Sequence, residues 1–248
     1  MTVLLSEWTK LRALRSTYVT LAVAGIMALI ASGIVAASTV TATAAQAPPF
    51  GAVVGIFAGW LTYPALAIGI LGIITITAEY ATGQIRLTFT AVPRRLTVLA
   101  AKVAVTGLIG LVVGEVLAFA GYGLTAATLA GHPLAKSLHG ASIHVLAGGV
   151  SLCVIILLGL GIGTIFRRTA GAIAALPAVL YLPLLVFVLP SPWKFEIGRF
   201  TVMGAVYQLI SAHPSNQLFS PVISLIVLFA WPAVALAAGA AIITRNDA

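Results

Sequence analysis

Charge is scarce in this 248-residue chain. Only 7% of its residues are Asp, Glu, Lys or Arg, and just five of them are acidic. With 61% hydrophobic residues and a mean hydropathy of +1.15, the composition excludes an ordinary water-soluble domain. Cys153 is the single cysteine, so neither a disulfide framework nor a thiolate metal site can form within one chain. None of Lys10, Lys102, Lys136 and Lys194 follows a glycine, as the lysine of a phosphate-cradling P-loop must, which excludes a Walker-type ATPase in this chain. His132, His139, His144 and His213 include no H-E-x-x-H, and His139 and His144 are five apart. Acidic side chains are too few nearby to complete a coordination sphere. Gly149 to Cys153 approaches a serine-elbow pattern, but a cysteine replaces the second glycine and no base is evident. No catalytic residue, metal ligand or cofactor site is therefore assigned.

What is present is apolar sequence in long runs. A helix needs about 20 mainly apolar residues to cross a bilayer, and six runs have that length. They cover Tyr18 to Ala37, Ala52 to Thr77, Val103 to Ala130, His144 to Phe166, Ala172 to Leu189 and Val222 to Thr244. Without period-2 alternation, the expectation is an all-α polytopic membrane protein rather than a barrel. The first run exceeds the 7–15 residues of a signal-peptide core and is expected to remain as a span.

The formal charge of +8 sits in the gaps between runs. Placing both termini in the cytoplasm gathers ten of the 13 cations inside: Lys10, Arg12, Arg15, Arg86, Arg94, Arg95, Lys102, Arg167, Arg168 and Arg245. Lys136, Lys194 and Arg199 remain outside. This asymmetry follows the positive-inside rule, and an odd number of spans would destroy it. No basic stripe carries stacking aromatics, so nucleic acid is not an expected partner; the lipid bilayer is.

Before the first run, Leu4, Trp8 and Leu11 share a helical face, with Lys10 and Arg12 off it. Residues 1–17 read as an interfacial helix, against the alternative of a frayed tail; Glu7 and Arg15 intrude on the apolar side. Pro64, Pro177, Pro183 and Pro232 predict kinks, static or hinged. Gly51, Gly55 and Gly59, Gly110 with Gly114, and Gly159 with Gly163 predict close helix packing. The stretch 191–221 mixes five aromatic residues with Lys194, Glu196 and Arg199. It is expected to be extracellular, either re-entrant or an ordinary packed loop.

The loop 78–101 is the most informative part. From Glu79 to Arg95 it reads E-Y-A-T-G-Q-I-R-L-T-F-T-A-V-P-R-R, a charged island between apolar runs. Thr82 is placed to cap a short helix beginning near Gly83, and Pro93 disfavours its continuation. Arg94, Arg95 and Lys102 can equally be simple lipid anchors. The opening S-E-W-T-K-L-R-A-L-R-S-T at Ser6 to Thr17, the E-x-x-x-G of Glu79 and Gly83, and the P-R-R at Pro93 to Arg95 resemble the permease subunits of bacterial type 2 (type V) ATP-binding-cassette exporters. The resemblance covers essentially the whole chain as one transmembrane permease domain, 1–248. It implies a connecting helix carrying Trp8, Lys10 and Arg12, and a coupling helix whose loop presents Glu79, Tyr80, Gly83, Arg86, Arg94 and Arg95 to an ATPase subunit. Fuller versions of the coupling motif carry more charge beside the first glutamate, where Tyr80 and Ala81 stand here. It further implies a second identical or similar permease, ATP and Mg bound only by the partner ATPase, and a bacterial cytoplasmic membrane.

Glu115 is the rival clue. A carboxylate near the middle of a span costs about 2.5–3.5 kcal/mol on insertion scales, which the surrounding apolar residues can offset. It can line a translocation path, relay protons or hydrogen-bond a neighbouring helix. The leading expectation is an exporter subunit for a hydrophobic or amphipathic small molecule, lipid or peptide. The alternatives are a proton-coupled carrier using Glu115 and a non-transporting anchor or sensor subunit.

Overall fold

The computed structural model describes residues 2–13, 15–41, 51–91, 94–131, 141–186, 188–190, 193–210 and 219–245. Within its helices the side chains of 51–60, Arg86, Pro183 and Lys194 are among those not described. The described residues form helices and no strand. In order these are α1 (Thr2–Ala13), α2 (Arg15–Thr41), α3 (Gly51–Ala81), α4 (Gln84–Ala91), α5 (Arg95–Thr128) and α6 (Ser142–Phe166). There follow α7 (Thr169–Leu180), α8 (Leu182–Val186), α9 (Trp193–Gly198), α10 (Val202–Ile210) and α11 (Pro221–Arg245).

Five of these helices, α2, α3, α5, α6 and α11, are long and apolar enough to cross a membrane. The sixth expected run, Ala172 to Leu189, is not one helix. It breaks at Tyr181 into the twelve-residue α7 and the five-residue α8. Pro183 explains the break, because proline has no N–H to donate to the helix. The Tyr181 N–H instead closes on Pro177 O at 2.8 Å, ending α7. Pro64 and Pro232 stay inside unbroken helices, as membrane helices tolerate proline.

Helix α6 is the hub, apolar all round and largely buried, with α3, α5 and α11 packed on it. Glycines set these contacts. A Cβ on Gly72 would overlap the Ile156 carbonyl oxygen, one on Gly159 that of Gly69, and one on Gly114 that of Gly149. Lipid tails are as apolar as leucine, so close van der Waals approach of backbones, rather than exclusion of water, holds such helices together. The expected pairs Gly110–Gly114 and Gly159–Gly163 thus serve packing within the chain. Gly51, Gly55 and Gly59 lie outside the described side-chain surroundings.

The contacts also fix direction. Gly69 meets Gly159 and Gly163 meets Ile76, so α3 and α6 run parallel; Gly161 at Ala235 and Gly239 at Thr164 place α11 parallel to both. Gly107 at Leu157 and Gly114 at Gly149 make α5 antiparallel to α6, and Gly25 at Leu117 with Gly33 at Leu124 make α2 run parallel to α5. The C-terminal ends of α3, α6 and α11 therefore share one end of the bundle with α1, α4 and the starts of α2 and α5. The inside cations of the charge count belong to these segments.

At the other end the chain turns back into the bundle. Trp231 Nε1 donates to Phe200 O at 2.9 Å, ten residues into α11, or about 15 Å along it at 1.5 Å per residue. His144 Nδ1, at the start of α6, lies 3.3 Å from Leu209 O. The tip between α9 and α10 is therefore deep, and α10 climbs back to the bundle end with Val202, Ala205 and Ile210 fully buried. Buried Gln208 fixes the return, donating to Arg199 O and Gly204 O, each at 3.0 Å, and accepting the Phe219 N–H at 2.8 Å.

Candidate functional site

Four charged residues from three helices converge where α1 meets the ends of α3 and α5. The Lys102 ammonium lies 2.5 Å from Glu7 Oε2, 2.9 Å from Glu79 Oε1 and 3.3 Å from Thr75 O, so all three of its donors are engaged. Lys10 Nζ bridges the same carboxylates from the solvent side, 2.7 Å from Glu7 Oε1 and 3.0 Å from Glu79 Oε1. Two carboxylates against two ammonium groups make the cluster neutral. Glu7 is 1% exposed, Lys102 3% and Glu79 5%, so each would be a costly isolated charge in this setting. Burial raises the Glu7 pKa, but the charge of Lys102 and the hydrogen bonds from Lys10 and Lys102 outweigh it, and the carboxyl ends below its ordinary value. Lys10 ends above its ordinary value: burial lowers it, and the two glutamates more than reverse that.

This cluster gives several expected residues a different setting. Glu7 is not a flaw in an apolar face; it is the α1 side chain that points into the protein. Leu11 beside it is buried, whereas Leu4 and Trp8 remain exposed. Lys10 is held by carboxylates, while Arg12 is exposed. Lys102 is not a lipid anchor, because it is enclosed. Glu79, expected on an ATPase-facing surface, spends Oε1 on two lysines, and its Oε2 is buried without a partner.

Helix α4 follows directly. Gly83 takes φ 71, a left-handed conformation that suits glycine, and with the Thr82 N–H on Ala78 O it closes the end of α3. Thr82 does not cap α4 as expected: its hydroxyl donates back to Ala78 O at 2.9 Å. Ile85 anchors α4, 3% exposed against Ile76 and Leu160 with Tyr80, Val103 and Leu236 around them. Leu87, on another face, is 71% exposed. The Arg86 side chain and residues 92–93, including Pro93, lie outside the described ones.

Two arginines tie the same end to α11. Arg95 Nη1 donates to Ile243 O at 2.9 Å and Arg167 Nη2 to Ile242 O at 3.1 Å. Both carbonyls lie in the last turn of α11, where no intrahelical donor remains and the helix dipole favours a cation. Arg167 sits at φ 55, ends α6 through its N–H to Gly163 O, and places its guanidinium 5.5 Å from the Tyr80 ring centroid. Arg94, at the start of α5, is exposed. Tyr80 and Arg95 therefore brace the bundle end; Gly83, Leu87 and Arg94 face outward.

Glu115 lies apart, in mid-α5. Its carboxyl packs where a Cβ on Gly149 would be, and Oε2 is buried without a hydrogen-bond partner. Among the described residues no group of three or more His, Cys, Asp and Glu could hold a metal ion. His132, His139 and His213 lie outside the described residues. The Ser151 hydroxyl donates to Ala147 O at 2.7 Å, within its own helix. Sequence reasoning missed the cluster itself. Its available signal was the coincidence of polar Glu7, Glu79 and Lys102 at the borders of apolar runs in a chain with five acidic residues.

A scan against protein-family models finds no match for this chain, and a search of curated proteins finds none.

Proposed function

We propose that this chain is the membrane-spanning permease subunit of an ATP-driven exporter, with α4 as the element that receives the stroke of a separate ATPase. The observation that carries the reading is the mounting of α4. It is a short helix between two membrane-length helices, seated through Ile85 and offering Leu87 outward at the cation-rich end. A push on α4 passes by Ile85 to α3 and α6, and α1 follows because Glu7 is bonded to Lys102. On this reading α7 and α8 together make a fifth crossing, giving six, with both termini in the cytoplasm of a bacterial cell. A second identical or similar permease completes the path for a hydrophobic or amphipathic small molecule, lipid or peptide. ATP and Mg bind only in the partner ATPase, since this chain has no phosphate loop.

The test is purification of the tagged chain in mild detergent from its native membrane. A stoichiometric partner bearing a Walker motif supports the permease; repeated recovery of the chain alone from membranes expressing such ATPases counts against it.

One observation favours a second reading, a proton-coupled carrier: the unpartnered Oε2 of Glu115 at mid-span. Intramembrane carboxylates are expensive and commonly mark proton or substrate paths. Transport that stops when the proton gradient is collapsed, while ATP is maintained, selects the carrier.

A further inference from the structure

We infer that the chain carries a specific site for one anionic phospholipid, in the groove between α1, α2 and α5. The groove encloses about 290 Å³, and its lining is almost wholly apolar. Trp8 and Leu11 form the α1 wall, Tyr18 the α2 wall, and Leu108 with Val112 the α5 wall. Leu11 is buried and forms the floor, whereas Leu108 and Val112 are each more than half exposed, so the groove opens sideways from the bundle. A sideways opening on a membrane-length helix admits an acyl chain from the bilayer.

The headgroup preference comes from charge. Arg12 lines the groove and is exposed, and neither Arg12 nor the exposed Arg15 has an ion pair or side-chain hydrogen bond within the described residues. Lys10, on the same helix, is by contrast held by Glu7 and Glu79. The Arg12 guanidinium on the slot, with Arg15 three residues before the groove residue Tyr18, matches a phosphate ester above its acyl chain, and a guanidinium binds phosphate oxygens in a forked geometry. Trp8 and Tyr18 have the amphipathic rings that settle at headgroup depth. The ion cluster holds α1 against the protein, and the lipid fills the gap that flanks it at Trp8, Leu11 and Arg12.

Native mass spectrometry of the purified full-length chain, titrated with phosphatidylglycerol or phosphatidylcholine, tests the site. The wild type is expected to retain one phosphatidylglycerol in preference to phosphatidylcholine. Neutralising Arg12→Gln and Arg15→Gln should weaken retention by about fivefold for each charge removed. Val112→Trp, which fills the groove and leaves both arginines, should displace the lipid; circular dichroism checks that each variant remains helical. Equal retention of the two lipids by the wild type overturns the site. So does retention that needs the arginines but survives Val112→Trp, which marks only a charged surface. A dimer lost on Val112→Trp, with lipid retention unchanged, would assign the groove to a second copy instead.

Discussion

Lys102 and Glu7 are 95 positions apart in sequence, yet the ammonium of one lies 2.5 Å from the carboxylate of the other, both enclosed. This contact joins the N-terminal helix to the start of α5, and with Glu79 it joins both to the end of α3.

Removing the cation should cost far more than removing the cluster. Lys102→Met leaves two buried carboxylates to share Lys10 alone, one negative charge in excess, and we expect a loss of about 3–5 kcal/mol. The triple change Lys102→Met, Glu7→Gln, Glu79→Gln should recover most of it, because neutral groups need no counter-charge. Thermal unfolding in detergent reads both; a triple variant no more stable than the single would contradict a charge-based lock.

The attachment of α1 should depend on pH in a defined way. Glu7 is lowered from 4.5, so its contribution is present above 4.5 and is lost as pH falls through its still lower folded value. Lys10 is raised from 10.5, so its contribution is present below 10.5 and is lost as pH rises through its higher folded value. Proteolytic cleavage within α1 should therefore stay slow and flat between these limits and rise below the lower one. A steady change through the neutral range would contradict this.

Glycine at the helix crossings should be irreplaceable where backbones meet. Gly72→Ala and Gly159→Ala each drive a methyl into a carbonyl of the facing helix, and overpacking of this kind costs about 1–3 kcal/mol or more. Gly123→Ala in α5 meets nothing within 4 Å and should be neutral or stabilising. Equal melting temperatures for all three would contradict the packing.

Legibility of the sequence followed the kind of signal each element carries. Long apolar runs gave α2, α3, α5, α6 and α11, because length and hydropathy are local properties. The same measure could not separate α7 from α8: Pro177 and Pro183 read as kinks, and hydropathy does not register a lost N–H. Gly110–Gly114 and Gly159–Gly163 stood out by their four-residue spacing. Gly149 did not, because its reason is the Glu115 carboxyl on another helix. Glu7 looked like an error in an amphipathic face, since periodicity separates polar from apolar but cannot tell a protein-facing charge from a wet one. Thr82 had the composition of a cap and the position of one, but Gly83 ends α3 and turns the hydroxyl backward.

Helix α4 should separate docking from stability. Ile85→Ala empties a packed position and should destabilise the bundle by about 2–5 kcal/mol. Leu87→Glu alters an exposed side chain and should leave unfolding unchanged.

The central claim, that α4 receives an ATPase, is tested most directly by quantitative co-purification of wild-type and Leu87→Glu chains from the native membrane. The account predicts a stoichiometric Walker-bearing partner with the wild type and about tenfold less with the variant, at equal yield and stability of the chain itself. Equal recovery of that partner with both chains would contradict docking at α4, and recovery of the wild type without any ATPase would contradict the permease.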